Sequence, residues 1–178
     1  SKFVAVTEDR QMIFYDTETG KEENRVSIPY PAVAVKWGKD GNLLVSSGLT
    51  QKNRVYGYTQ AGERLWTYES NVPVRALAYA DNGNIYLGTD NSRVYLLDQA
   101  GKKKWEFVAK AAIYSLVADQ GRLFYADQSG SYGELNDQGK PVWRGQLSAK
   151  IVGMTSAPTS DKLVIASGKG SLVTVSRD

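Results

Sequence analysis

Apolar and polar residues alternate along this chain in short runs, and Gly, Asn, Asp and Ser punctuate the runs at close intervals. That period-two pattern predicts β-strands, and hardly any segment has the length or the 3.6-residue apolar spacing of a helix. The stretch between Trp66 and Trp105 is the plainest case. Val74 to Tyr79 predicts one strand, and Asp81-Asn82-Gly83-Asn84 a hairpin turn in which Asn and Gly take the positive φ of a two-residue loop. Ile85 to Gly88 predicts a second strand, Thr89-Asp90-Asn91-Ser92 a second turn, and Arg93 to Asp98 a third strand. Gln99-Ala100-Gly101-Lys102 then turns the chain into a fourth, Lys104 to Val108, and Asp40-Gly41-Asn42 and Gln120-Gly121-Arg122 replace the Asn-Gly turn in the neighbouring stretches.

The pattern repeats. Val55-Tyr56-Gly57-Tyr58-Thr59-Gln60-Ala61-Gly62-Glu63-Arg64-Leu65-Trp66 aligns with the segment from Val94 to Trp105 and with that from Tyr132 to Trp143, each with the same glycine-to-tryptophan spacing. Ile13 to Lys21 is a fourth copy, with Asn24 in place of the Trp, and a fifth begins at Leu172-Val173-Thr174-Val175. The turn glycines Gly20, Gly62, Gly101 and Gly139 recur at intervals of 42, 39 and 38 residues, the period of a four-stranded propeller blade. The expected fold is therefore an all-β propeller of four-stranded antiparallel blades in a single domain, residues 1–178. Its blades fall near 1–30, 31–70, 71–109, 110–148 and 149–178. Three are full (Ala32 to Glu69, Val74 to Val108, Ala112 to Leu147) and two partial. Phe3 to Ile28 lacks an opening strand and Lys150 to Val175 a closing one. A five-bladed ring fits, and so does an open row that is either a fragment of a six- to eight-bladed propeller or completed by another chain.

Composition narrows the chemistry. The chain has 178 residues and contains neither cysteine nor histidine. That excludes a disulfide framework, Cys- or His-based zinc sites, and Ser-His-Asp or Cys-His catalysis within it. No apolar run approaches the roughly 18–20 residues of a membrane-crossing helix, so a soluble chain is expected. Ser1 to Val6 leads straight into a strand pattern, with no signal peptide expected. Twenty-two Lys and Arg against nineteen Asp and Glu leave a net charge of +3. The basic residues are scattered, and the short run Lys102-Lys103-Lys104 falls in a predicted turn, so a solvated turn, not a nucleic-acid patch, is expected.

From Asp98 to Trp105, and at the matches ending in Trp66 and Trp143, the chain resembles the quinoprotein (PQQ-type) propeller repeat. That repeat ends a strand in an aliphatic-aromatic-x-Leu-Asp pattern, turns through Thr-Gly-Lys and places a Trp shortly afterwards. The resemblance covers nearly the whole chain. It implies either a quinone-dependent dehydrogenase or a non-enzymatic scaffold resembling the lipoprotein of bacterial outer-membrane assembly, and hence a periplasmic or extracellular location. Cofactor-binding members are longer, carry adjacent cysteines and hold calcium; the absence of cysteine and the small blade number point to the scaffold, without cofactor or metal.

Recurrence at one repeat position assigns Gly20, Gly62, Gly101 and Gly139 to turns and Trp66, Trp105 and Trp143 to packing between blades, as the resemblance also implies. Trp37, at the end of an inner strand, is assigned to core or rim. Asp16 and Asp98 are expected to hold turn backbone. Asp127-Gln128-Ser129-Gly130 and Thr89-Asp90-Asn91-Ser92 have too few ligands for a Ca²⁺ loop, and Gly168-Lys169-Gly170-Ser171 lacks the spacing and following helix of a P-loop. Partners of a propeller meet its loop face, which here would gather Tyr30, Pro31, Asn71, Pro73, Arg75, Lys110, Tyr114 and Lys150. The shorter turns would add Asp90, Asn91, Gln128 and Lys169. Tyr30, Arg75 and Tyr114, with Lys110 and Lys150, are the expected partner-binding residues. The expected function is a non-catalytic binding module or scaffold for a protein or peptide, within a larger protein or self-associating to complete its partial blades. Binding of a sugar or cell-wall fragment at the channel mouth is the alternative.

Overall fold

Turn chemistry and apolar alternation build the same unit five times in the computed structural model, which describes residues 2–38, 40–48, 53–80, 82–156 and 161–176. All five sheets are antiparallel and ordered along the chain. The first contains β1 (Lys2–Val6), β2 (Gln11–Asp16) and β3 (Glu22–Ser27), and the second β4 (Ala32–Trp37), β5 (Leu43–Ser47), β6 (Asn53–Tyr58) and β7 (Arg64–Ser70). The third contains β8 (Val74–Tyr79), β9 (Ile85–Thr89), β10 (Arg93–Leu97) and β11 (Lys103–Val108). The fourth contains β12 (Ile113–Asp119), β13 (Arg122–Asp127), β14 (Ser131–Leu135) and β15 (Pro141–Gln146), and the last β16 (Ile151–Ser156), β17 (Lys162–Ser167) and β18 (Leu172–Ser176). Among the described residues three sheets thus have four strands and two have three, as the repeat predicts. No helix among the described residues is long and apolar enough to cross a membrane.

Each glycine turn is closed by a side chain at one repeat position. Asp16 Oδ1 accepts from the Thr19 amide at 2.8 Å, Thr59 Oγ1 from Glu63 at 3.1 Å, Asp98 Oδ1 from Lys102 at 2.9 Å and Asn136 Oδ1 from Lys140 at 2.9 Å. Three residue types serve because the position needs only a short side-chain oxygen. These amides hold the Asp16 and Asp98 carboxyls below the usual carboxylate range, with Lys104 adding to the effect at Asp98. Thr7, Thr89, Asp127 and Ser167 do the same for the turn that follows the preceding strand.

Turn geometry departs from the expectation in one place. Asn82 does not adopt positive φ but Gly83 does, at +80°, in a loop closed by Gly83 N–H to Ala80 O and Ala80 N–H to Asn84 O. The extra residue lets an ordinary turn end in a left-handed glycine. The two-residue loop with both residues at positive φ is instead Gln120-Gly121, at +51° and +75°, between paired Asp119 and Arg122. The lysine run is also shifted. Lys103 opens β11 and pairs with Glu106, while Lys104 reaches Asp98 at 2.9 Å, so two of its three cations face carboxylates rather than a free turn.

Burial falls from the middle of each full sheet outward. β5 and β9 are buried throughout, whereas β7, β11 and β15 are largely exposed. Middle strands are covered on both faces and therefore read as near-continuous apolar runs. Residues Ser1–Val74 and Arg75–Asp178 form two compact units. The core of the first includes Met12, Phe14, Leu43, Val45, Tyr56 and Tyr58, with Trp37 packed against it edge-on to Phe14. The core of the second includes Tyr86, Val94, Leu96, Ile113, Leu123 and Tyr125.

Sheets within a unit meet through small residues and single polar links. A Cβ on Gly88 would lie 2.4 Å from Ile113, so the third and fourth sheets approach closely because β9 carries glycine there. The Ser115 hydroxyl accepts from Met154 N–H at 3.0 Å and donates to Met154 O at 3.1 Å, tying β12 to β16. In the first unit, Asn24 donates to Ala61 O at 2.9 Å, a link from β3 to the turn of the next sheet.

Candidate binding face

The repeated Trp position has three different environments. Trp105 joins sheets: its Nε1 donates to Asp137 O at 2.8 Å, and its ring lies where a Cβ on Gly139 would be, 2.7 Å away. Trp66 covers Gly57 of its own sheet, where a Cβ would come within 2.3 Å of the indole. Trp143 also turns into its own sheet and donates to Glu134 Oε2 at 2.8 Å. Glu134, 8% exposed, is held as well by Arg122, through Nε at 3.0 Å and Nη2 at 2.7 Å.

The second residue of the opening strand is displaced from the ladder. Register shifts between Ala32 and Ala34, Ile113 and Ser115, and Ile151 and Gly153 leave Val33, Tyr114 and Val152 as the extra residues of β-bulges. A bulge re-aims the side chain of the residue it leaves unpaired. In the second unit this leaves Tyr114 39% and Val152 49% exposed, although Ile113 and Ile151 beside them are fully buried. Arg75 occupies the corresponding place in β8.

Arg75 is not a free cation. It forms a forked pair with Asp90, Nε to Oδ1 at 3.0 Å and Nη2 to Oδ2 at 3.0 Å. Asp90, and to a lesser degree the neighbouring Tyr114, hold the guanidinium pKa above its ordinary value. A paired Arg keeps a fixed orientation, so Arg75 is oriented by Asp90 rather than free. Lys150 lays its aliphatic stem over Gly168, whose amide donates to Lys150 O at 2.8 Å, and remains exposed. Lys110 is exposed at the end of β11, next to an open cleft between the third and fourth sheets.

Arg75, Lys110, Tyr114 and Lys150 thus lie in the second unit, with Arg75 beside Tyr114. Tyr30 lies in the first. It is half-buried against the core, with the Arg54 guanidinium 5.7 Å from its ring centroid and Arg54 paired to Glu69 at 2.6 Å. Asp127 is fully buried; Oδ1 accepts from Ser129 and Ser131 amides and Oδ2 from Ala111, so the carboxylate serves its own loop. Val152, Arg144 and the cleft escaped the sequence reading. The recurrence of Val33, Arg75, Tyr114 and Val152 at one repeat position was the available signal for the bulged row.

Antiparallel blades of this repeat define the molecule as an all-β propeller protein. More particularly, the chain belongs to the PQQ-type repeat family described as outer membrane protein assembly factor BamB, whose model matches residues 1–109 and 51–178. No curated protein matches it. Among solved structures it is similar to a chain in the crystal structure of the mitotic checkpoint complex, with a TM-score of 0.87, 14% identity, and coverage of 100% of this chain and 58% of that one. It is also similar to Sqt1 of Saccharomyces cerevisiae, with a TM-score of 0.79, 14% identity, and coverage of 98% and 55%. The chain therefore spans a little over half the length of either, and the likeness concerns the fold.

Proposed function

We propose that this chain is a non-catalytic binding module whose loop face, in the second unit, takes a protein or peptide. The observation that carries this reading is Tyr114, set on a β-bulge and exposed beside the oriented Arg75–Asp90 pair, with Val152 exposed on the corresponding bulge of the adjoining sheet. An aromatic with a hydroxyl, next to a fixed ion pair and an apolar neighbour, offers contact area and directional hydrogen bonds together. Two further facts support it: the family is described as an assembly factor, and one structural neighbour was solved within a complex. The absence of His and Cys removes the commonest nucleophile-activating groups.

The test is photo-crosslinking from a benzoyl-phenylalanine placed at Tyr114, followed by affinity measurement on the captured partner. Tyr114→Ala and Val152→Asp are expected to weaken that complex at least about tenfold, as hot-spot truncations do, with unchanged circular dichroism and melting temperature. Turnover of a substrate at the loop face, with no partner captured there, would overturn the reading.

A further inference from the structure

Between the third and fourth sheets lies a small open cleft of about 90 Å³. Its floor is aromatic: Phe107 and the 2%-exposed Tyr125 meet at 5.0 Å between ring centroids. Val108, exposed, forms part of the rim. Two basic residues line the cleft beside this apolar floor, Lys110 from the loop after β11 and Arg144 from β15. No carboxylate lines the cleft, and neither cation has an ion-pair partner among the described residues. The contrast is sharp, because Arg25, Arg54, Arg75, Arg93 and Arg122 are each paired with a carboxylate.

Arg144 is nonetheless held in place. Its guanidinium lies over the Phe107 ring, 5.7 Å from the centroid, and the Tyr125 hydroxyl interacts with both Ser131 and Arg144. A guanidinium resting on an aromatic face keeps its in-plane N–H donors available for a planar oxyanion. Exposed but oriented by the ring before binding, it loses less entropy on engaging a carboxylate than a free surface arginine would.

We propose that this cleft is a recognition site for the C-terminal residue of a peptide: its carboxylate lies between Arg144 and Lys110, and its aliphatic side chain on Phe107 and Val108. A chain-terminal aliphatic residue is the occupant that fits, because it joins a carboxylate and an apolar group at one Cα, matching two basic side chains that line a cleft with an aromatic floor. The volume lies well below that of small-molecule pockets and suits a single terminal residue rather than a longer segment. The proposal rests on the reading of the loop face as a peptide-binding surface and names the chemistry of one part of it.

The test uses the full chain, ¹⁵N-labelled, titrated with N-acetyl-Ala-Leu, its C-terminal amide, N-acetyl-Ala-Gly, and N-acetyl-Glu-Ala amide. The free acid N-acetyl-Ala-Leu is expected to bind with roughly millimolar affinity, as suits a ligand of this size. It is expected to shift the amides of Val108 to Lys110 and Ser131, and to bind about tenfold more tightly than its amide. Arg144→Met, which keeps an unbranched stem over Phe107, is expected to abolish that preference; Lys110→Met is expected to reduce it severalfold. Raised salt is expected to weaken the acid and not the amide. Equal binding of acid and amide, an unchanged preference in a folded Arg144→Met variant, or equal binding of the internal glutamate peptide would overturn the assignment. If the peptides fail while a partner still crosslinks at Tyr114, the cleft assignment alone falls. If the peptides bind but Tyr114 captures nothing, the wider reading of the loop face falls instead.

Discussion

Two glycines of the second unit differ in one respect that can be weighed on its own. Gly139 and Gly170 both adopt left-handed backbone, with φ of +76° and +79°. Around Gly170 a Cβ would meet nothing within 4 Å, whereas at Gly139 it would press into Trp105, 2.7 Å from Cε3 and 2.8 Å from Cδ2. Alanine at either position meets the left-handed penalty of about 1–2 kcal/mol, and both variants share the same small gain from a stiffer unfolded chain. Only Gly139→Ala must also displace an indole. That costs about 1–3 kcal/mol for overpacking, plus about 1 kcal/mol if the Trp105 Nε1 bond to Asp137 O is lost. The expected losses are therefore about 1 kcal/mol for Gly170→Ala and about 3–4 kcal/mol for Gly139→Ala. Urea titration followed by tryptophan fluorescence measures both, with the m-value checked for constancy. In a Trp105→Leu background the difference is expected to shrink below about 1 kcal/mol, because the shorter side chain removes the clash. Losses within about 0.5 kcal/mol of each other in the wild-type background would refute the docking of Trp105 on the next sheet's turn.

Three further outcomes follow from the packing. Glu134→Leu removes the carboxylate that Arg122 and the Trp143 Nε1 both donate to and is expected to cost about 3 kcal/mol, with a shifted tryptophan emission; Glu134→Gln, which keeps an acceptor for the indole, is expected to cost less in the same urea titration. Ser115→Ala removes both hydrogen bonds to Met154 and is expected to cost about 1–3 kcal/mol, and hydrogen exchange at the Met154 amide is expected to speed up first. Burial pushes the Tyr58 phenol up to about 12 from an ordinary 10.0. The folded chain therefore keeps a proton that the unfolded chain releases, and stability present below pH 10 is expected to fall as pH rises from about 10 to about 12, by up to about 1.4 kcal/mol per unit. Tyr58→Phe is expected to flatten that alkaline limb, and an unchanged limb in the variant would contradict the assignment.

The repeat made the sheets legible because each is built from local rules. Predicted strand limits in the third sheet differ from the observed ones by a single residue: Thr89 joins β9, Asp98 leaves β10 and Lys103 opens β11. The candidate site was legible only in part. Tyr114 and Lys110 were assigned to the loop face by topology alone, whereas Arg75 proves committed to Asp90, and Tyr30 packs in the first unit beneath Arg54. Arg144 was missed because nothing in the sequence marks which outer-strand residue leans over a neighbouring sheet. It sits in β15, while the Phe107 ring it covers belongs to β11.

Sequence alone determined the strand order, the turn glycines and the turn-closing Asp, Thr and Asn, since a turn's oxygen and its amide lie within four residues of each other. It equally marked Trp66, Trp105 and Trp143 as one repeated position. Only the tertiary structure gave that position three environments: Gly57 in the same sheet, Asp137 in the next, and the Glu134 carboxylate. A repeat specifies where a side chain starts, but its partner depends on what the adjoining strand or sheet presents within reach. The bulge at Tyr114, the Arg75–Asp90 pair and the cationic cleft are decided in the same way, by groups on different strands brought together by packing.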